Sequence, residues 1–137
     1  MASATDTAEV LLLNFLLNTE TATRPTNWYV ALHTGDPGEL GTDNEVSNAN
    51  GYARTAVTFN AADNPSTGKT FVDNNGDITF ATASGGAWGT ISHISIKSSA
   101  SYGAGDTYVK GALTASKTVS DGDTFQIQDT NLVITLD

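Results

Sequence analysis

From Trp28 onward, hydrophobic and polar character alternate along the chain with a period of two. Trp28, Val30 and Leu32 fall on one face, and Tyr29, Ala31 and His33 on the other. Aromatic and β-branched residues at that spacing predict a half-buried strand over Asn27–Thr34. The same alternation returns in Thr55/Val57/Phe59, Ile78/Phe80, Ile94/Ile96, Val109/Gly111/Leu113, Phe125/Ile127 and Leu132/Ile134/Leu136. Further strands are therefore predicted over Arg54–Ala61, Thr70–Asp73, Asp77–Thr82, Ile91–Ser98, Thr107–Val119, Thr124–Gln128 and Leu132–Leu136, about eight in all. The stretch Thr107–Val119 is long for one strand and is expected to bend at Gly111. Turn chemistry separates the strands. Asp36-Pro37-Gly38 presets φ and then frees it, and Asn75-Gly76 reads as a hairpin turn. No helical crossover lies between strands. The expected fold is mainly β, an antiparallel β-sandwich of jelly-roll type with one N-terminal helix, in a single domain spanning 1–137 with its strands within 26–137.

The helix is the exception to the two-residue rhythm. Asp6 is a candidate N-cap, and Glu9 three residues later would close a capping box. Val10, Leu11, Leu12, Leu13, Phe15, Leu16 and Leu17 follow, and Asn18 ends the run, giving a helix over 5–18. A surface helix shows one apolar stripe, whereas this one is apolar nearly all round. It must be covered on several sides. Either it plugs an open end of the β core, or Val10, Leu13, Leu16 and Leu17 pack against a neighbouring subunit or another protein. The run is too short to cross a bilayer.

Composition narrows the partners. The chain of 137 residues carries 15 acids against 6 bases, a formal charge of −9. Such a field repels a phosphate backbone and an anionic membrane surface, so neither nucleic-acid binding nor membrane insertion is expected. With no cysteine, disulfides, thiolate metal sites and a thiol nucleophile are excluded. No basic segment leads into a cleavable apolar stretch, and synthesis in the cytoplasm without secretory processing is expected.

Candidate chemistry is sparse. His33 and His93 fall in strands with no acid at ligand spacing, and are expected to be half-exposed sheet residues. Asp36, Glu39, Asp43 and Glu45 crowd one loop, and Asp73 and Asp77 flank another. Neither loop has the ligand spacing of a calcium-binding helix–loop–helix. No serine sits in Gly-x-Ser-x-Gly. The run Gly85-Gly86-Ala87-Trp88-Gly89 lacks the lysine of a phosphate cradle, and its expected role is to let Trp88 fold over the sandwich end. No catalytic, cofactor or metal residues are therefore predicted. Arg54, after the Gly51-Tyr52 corner, is expected to pin the acidic loop through a two-pronged pair with Glu45 or Asp36. Trp28, Glu45, Tyr52, Arg54 and Trp88 together form the expected scaffold corner.

These residues also carry a likeness. Trp28-Tyr29-Val30-Ala31-Leu32-His33-Thr34, Asp36-Pro37-Gly38-Glu39, Glu45-Val46 and Gly51-Tyr52-Ala53-Arg54 occur in order. They are followed by Ile78-Thr79-Phe80, Ala87-Trp88-Gly89-Thr90-Ile91, Gly111-Ala112-Leu113, Gly122-Asp123-Thr124-Phe125 and Ile134-Thr135-Leu136-Asp137. The whole series resembles small structural proteins of tailed bacteriophages described as tail-fibre or minor tail proteins. That resemblance implies a non-enzymatic virion component in several symmetric copies, a trimer being favoured, made in the host cytoplasm and carried on the tail. Its implied partners are other virion proteins and a host-surface glycan. Two alternatives stand beside it: a decoration protein cementing the capsid exterior, and an independent carbohydrate-binding β-sandwich using Tyr29, Tyr52, Tyr102 or Tyr108.

Overall fold

In the computed structural model, which describes residues 2–63 and 68–136, the alternating stretch after Asn27 becomes the inner strand of a five-stranded sheet. Met1, residues 64–67 and Asp137, the last residue of the C-terminal motif, lie outside the described residues. The elements run β1 (Ala2–Ala4), α1 (Asp6–Leu17), β2 (Trp28–His33), β3 (Thr55–Val57), β4 (Thr70–Asp73) and β5 (Ile78–Thr82). They continue with β6 (Gly89–Lys97), β7 (Thr107–Val119), β8 (Thr124–Ile127) and β9 (Val133–Leu136). The large sheet has the order β1-β7-β6-β2-β3, and β4-β9 and β5-β8 form two separate ladders. Every pairing is antiparallel. This is the mainly β, sandwich-like architecture with one helix that the alternation predicts.

Register explains the core. Val30 pairs with Ile96 and Leu32 with Ile94, which places four β-branched or leucine side chains on one face. Ile78, Phe80, Phe125 and Leu132 from the smaller ladders and their turns join them in one buried cluster. Phe80 meets Phe125 edge-to-face at 5.7 Å and Trp88 at 6.5 Å. Trp88 in turn meets Tyr52 at 5.4 Å, a geometry that the ring quadrupoles favour.

Four expectations change. First, β2 is not half-buried: Val30, Ala31, Leu32 and His33 are all fully enclosed. The face carrying Ala31 and His33 is covered by the 34–45 loop, which folds back over the sheet until the Gly41 carbonyl meets Lys97. Glycine is required at 41, where φ is +65° and an added Cβ would run into the Thr107 side chain.

Second, a ninth strand is present. β1 lacks any β-forming residue pattern, yet it pairs with β7, Ala2 opposite Gly111. A Cβ on Gly111 would lie 2.8 Å from Ala2 Cα, so this glycine admits β1 rather than bending β7. The two register shifts between β6 and β7 fall on either side of Gly111, between the Lys97–Thr107 and Ile96–Val109 pairs and between the His93–Ala112 and Ile91–Lys117 pairs.

Third, Asn75-Gly76 does not close a hairpin. β4 pairs with β9 and β5 with β8, so the turn passes between two ladders. Asn74 stabilises it: fully buried, it donates to the carbonyls of Gly76 and Gln128 and accepts from the Leu132 amide.

Fourth, α1 has Thr5, not Asp6, as its N-cap residue, with no side-chain capping bond. The buried Thr5 hydroxyl is already committed to the Thr107 carbonyl. Nor does α1 plug the core, since none of its residues is buried.

Candidate functional site

The loop after β2 returns to the sheet through a bridge between His33 and Glu45. There Glu45 meets Arg54, one residue before β3. Arg54 Nε donates to Glu45 Oε1 at 2.7 Å and Nη2 to Oε2 at 2.8 Å, the parallel two-bond arrangement that suits a planar guanidinium. Both side chains are enclosed, 2% and 5% exposed. The third nitrogen, Nη1, faces the carbonyls of Ser99, Ser101 and Ala104 at 2.9, 2.8 and 2.7 Å. A single cation thus holds an acidic loop on one side and the 98–106 loop on the other. Asp36, the other expected partner, instead meets Lys110 at 3.3 Å, as does Glu39 at 2.9 Å.

Tyr52 completes the clasp. Its hydroxyl donates to Glu45 Oε1 and accepts from the Leu32 amide, at 3.1 and 3.0 Å. Burial and the adjoining Glu45 carboxylate push its phenol well above the ordinary range. A second buried cation works in parallel. Lys97 Nζ donates to the Gly41 carbonyl at 2.6 Å and to Thr107 Oγ1 at 2.7 Å, and burial lowers its pKa. Buried charges persist only where hydrogen bonds replace water. In both places loop backbone is among the partners, beside the Glu45 carboxylate for Arg54 and the Thr107 hydroxyl for Lys97.

His33, expected at half exposure, is completely buried. Its Nδ1 lies 2.8 Å from the Asp43 carbonyl and its Nε2 2.8 Å from Ser95 Oγ. The carbonyl can only accept, which fixes the neutral tautomer with the proton on Nδ1 and makes Nε2 the acceptor of the serine hydroxyl. Burial lowers its pKa from 6.5. For Glu45, burial acts upward, but hydrogen bonding and attraction from Arg54 bring the carboxyl below 4.5. Both signs point the same way. A histidine depressed in the fold binds fewer protons than in the unfolded chain, so stability falls as pH drops below 6.5. Protonation of Glu45 adds a second loss below 4.5. Thermal melts from pH 7.5 to pH 4 are expected to show this two-stage decline, with the upper stage flattened in His33→Gln. A melting temperature constant from pH 7.5 to pH 5 would remove His33 from the account.

The expected scaffold corner is therefore only partly one assembly. Glu45, Tyr52 and Arg54 share a network, and Trp88 abuts it through its ring contact with Tyr52. The Trp88 indole N–H donates to the Asn50 carbonyl at 2.8 Å. Trp28 stands apart, edge-on to Tyr108 at 5.3 Å. Of the four tyrosines, Tyr52 is buried in the clasp and Tyr102 is 45% exposed at the tip of the 98–106 loop. Among the described residues no cluster of three metal-ligating side chains occurs. Asp77 and Asp129 instead accept from the backbone amides of Asp129 and Gly76.

Against this enclosed network stands α1. Ala8, Leu11 and Asn14 are half-buried toward the sheet edge, where the helix touches β7 and β1. Val10, Leu13, Leu16 and Leu17 are 58, 54, 62 and 76% exposed, with Phe15 at 71% and Leu12 at 41%. No helix among the described residues is long and apolar enough to cross a membrane. Val10, Leu13 and Leu17 follow the three-then-four spacing that brings side chains into line on one helix face.

The described residues thus form a mainly β scaffold whose buried cations are tied to backbone of the 34–45 and 98–106 loops, with one helix that leaves six apolar side chains exposed. The family model for Podophage GP4 fiber I protein gp80 matches residues 3–135, and the chain belongs to that family of phage fibre proteins. It is a virion-associated structural protein that interacts with other virion proteins. No curated protein matches it.

Proposed function

We propose that this chain is a non-enzymatic module of a phage tail fibre, built into the virion by protein–protein contacts centred on α1. The observation that carries this reading is the exposure of Val10, Leu13, Leu16 and Leu17 on a helix the β scaffold does not cover. Bringing each from that state to full burial contributes on the order of 1 kcal/mol, so a shared helical contact gains several. Charge supports the same surface. A body of −9 repels its own copies, and residues 10–17 carry no ionisable side chain. Copies therefore meet there without bringing carboxylates together.

A closed ring of copies covers both flanks of each helix with one set of residues. This favours a homo-oligomer, and a trimer as the smallest ring in which every helix has two neighbours. The clasped loops and the β scaffold are then left free to face the host. The fibre description of the family favours the tail over a decoration role on the capsid.

Quantitative mass spectrometry of purified virions tests the placement. A tail component is expected at roughly tens of copies or fewer per particle. A ratio to the major capsid protein near unity, or one third, would overturn the tail assignment and make this a capsid protein.

A further inference from the structure

The chain between α1 and β2 runs beside the end of the large sheet and leaves an open groove of about 300 Å³. Thr23, Arg24, Thr26 and Asn27 line one wall, and Ser98 and Tyr108 the other. The Ser98/Tyr108 wall is anchored twice. Tyr108 is braced edge-on by Trp28, and the backbone of the neighbouring 98–106 loop is held from below by Arg54.

The cations are distributed unevenly. Arg54 and Lys97 are buried on loop backbone, and Lys110 is paired with Asp36 and Glu39. Arg24, in a chain with 15 acids, has no ion pair or hydrogen bond among the described residues. It is exposed and lies in the groove wall. Around it are three hydroxyls, one amide, the Pro25 ring and the Tyr108 phenol, whose hydroxyl is hydrogen-bonded to the Asp106 carboxylate.

We propose that this groove binds an acidic saccharide. Arg24 receives the sugar carboxylate in a charge-assisted pair. Thr23, Thr26, Asn27 and Ser98 exchange hydrogen bonds with ring hydroxyls, and Tyr108 supplies an apolar wall. The volume lies at the small end of ligand sites and suits one or two sugar rings. The hydroxyl and amide lining favours a sugar over an apolar peptide side chain. The acidic body opposes long polyanions, but at physiological salt its field is screened beyond about 8 Å, so a short acidic segment reaches Arg24. The site makes no use of the apolar face of α1. It gives the fibre role proposed above a ligand class at the host surface, and it is tested separately from assembly.

The test is isothermal titration of the full chain with trigalacturonate, triglucuronate and 3′-sialyllactose, with maltotriose as the neutral control. At least one acidic probe is expected to bind, weakening as salt is raised to about 0.5 M, while maltotriose does not. Arg24→Ala is expected to reduce affinity tenfold or more, Arg24→Lys to retain part of it, and Lys117→Ala to change nothing. Binding to none of the acidic probes, equal binding to maltotriose, or affinity indifferent to Arg24→Ala would each overturn the proposal. Because Arg24 is exposed, the variants should keep the wild-type melting temperature and mass. Failure here with normal virion incorporation would leave the contact role of α1 standing.

Discussion

Replacement of Arg54 by methionine is expected to lower the melting temperature by roughly 10–20 °C, the largest single effect on stability in this chain. Methionine fills much of the same volume, so the loss is electrostatic rather than steric. It strands the Glu45 carboxylate in an enclosed site and leaves the carbonyls of Ser99, Ser101 and Ala104 without their donor. Breaking a buried pair by removing one partner costs about 3–5 kcal/mol, and at this chain length each kcal/mol shifts the midpoint by a few degrees. Arg54→Lys should fall between, because an ammonium keeps the charge but cannot span Glu45 and three carbonyls at once. The double variant Arg54→Met with Glu45→Gln should recover part of the loss, since the stranded charge is gone. Thermal melts measure these differences, and limited proteolysis should show earlier cleavage within 98–106. A midpoint within about 2 °C of wild type for Arg54→Met would show that the clasp is peripheral to stability.

How much of this was legible in the sequence differs by residue. The strands carrying Val30, Leu32, Ile94 and Ile96 were readable because period-two reasoning detects their apolar faces, but which strand pairs with which was not. The opposite face of β2 was not readable. Its roof is the 34–45 loop, a polar segment that covers Ala31, His33, Ser95 and Lys97 through backbone groups. Backbone coverage leaves no apolar signature, so His33 looked like a half-exposed sheet residue and nothing marked Lys97 as buried. β1 was invisible for a related reason: Ala2, Ser3 and Ala4 pair because Gly111 leaves room for them, and that fit exists only in three dimensions. Asn74, beside the Asn75-Gly76 turn, carries no sequence sign of burial, yet its bonds to the distant backbone of Gln128 and Leu132 hold it in the interior. The Arg54–Glu45 pairing was within reach because few cations compete for a crowded acidic loop. Its link to the 98–106 loop was not, since carbonyl acceptors have no sequence identity. In the groove, nothing in the sequence set Arg24 apart from a solvated linker residue. Its lack of a partner became visible only once Arg54, Lys97 and Lys110 had been placed on theirs.

The helix gives the second large expected effect, on assembly rather than on folding. Leu13→Asp should leave the melting temperature of the isolated domain nearly unchanged, because the side chain is already 54% exposed and surface substitutions commonly move stability by no more than about 0.5 kcal/mol. Its effect appears where the helix is covered. A carboxylate buried there without a partner costs several times the gain from the leucine it replaces. Multi-angle light scattering should therefore show wild type as a multimer and Leu13→Asp as a monomer, with Leu16→Asp behaving alike. Leu40→Asp is the control, 77% exposed but on the 34–45 loop, and should leave the mass unaltered. The two readouts divide the partner question. A wild-type protein already monomeric in solution, yet lost from virions on Leu13→Asp, would assign the helix to a different virion protein and refute the homo-oligomer. Unchanged mass together with normal incorporation would leave six exposed apolar side chains without a contact and remove α1 as the attachment surface. The homo-oligomer requires both losses from a single charge placed on a residue that the fold itself does not need, whereas contact with a different virion protein requires only the loss from virions.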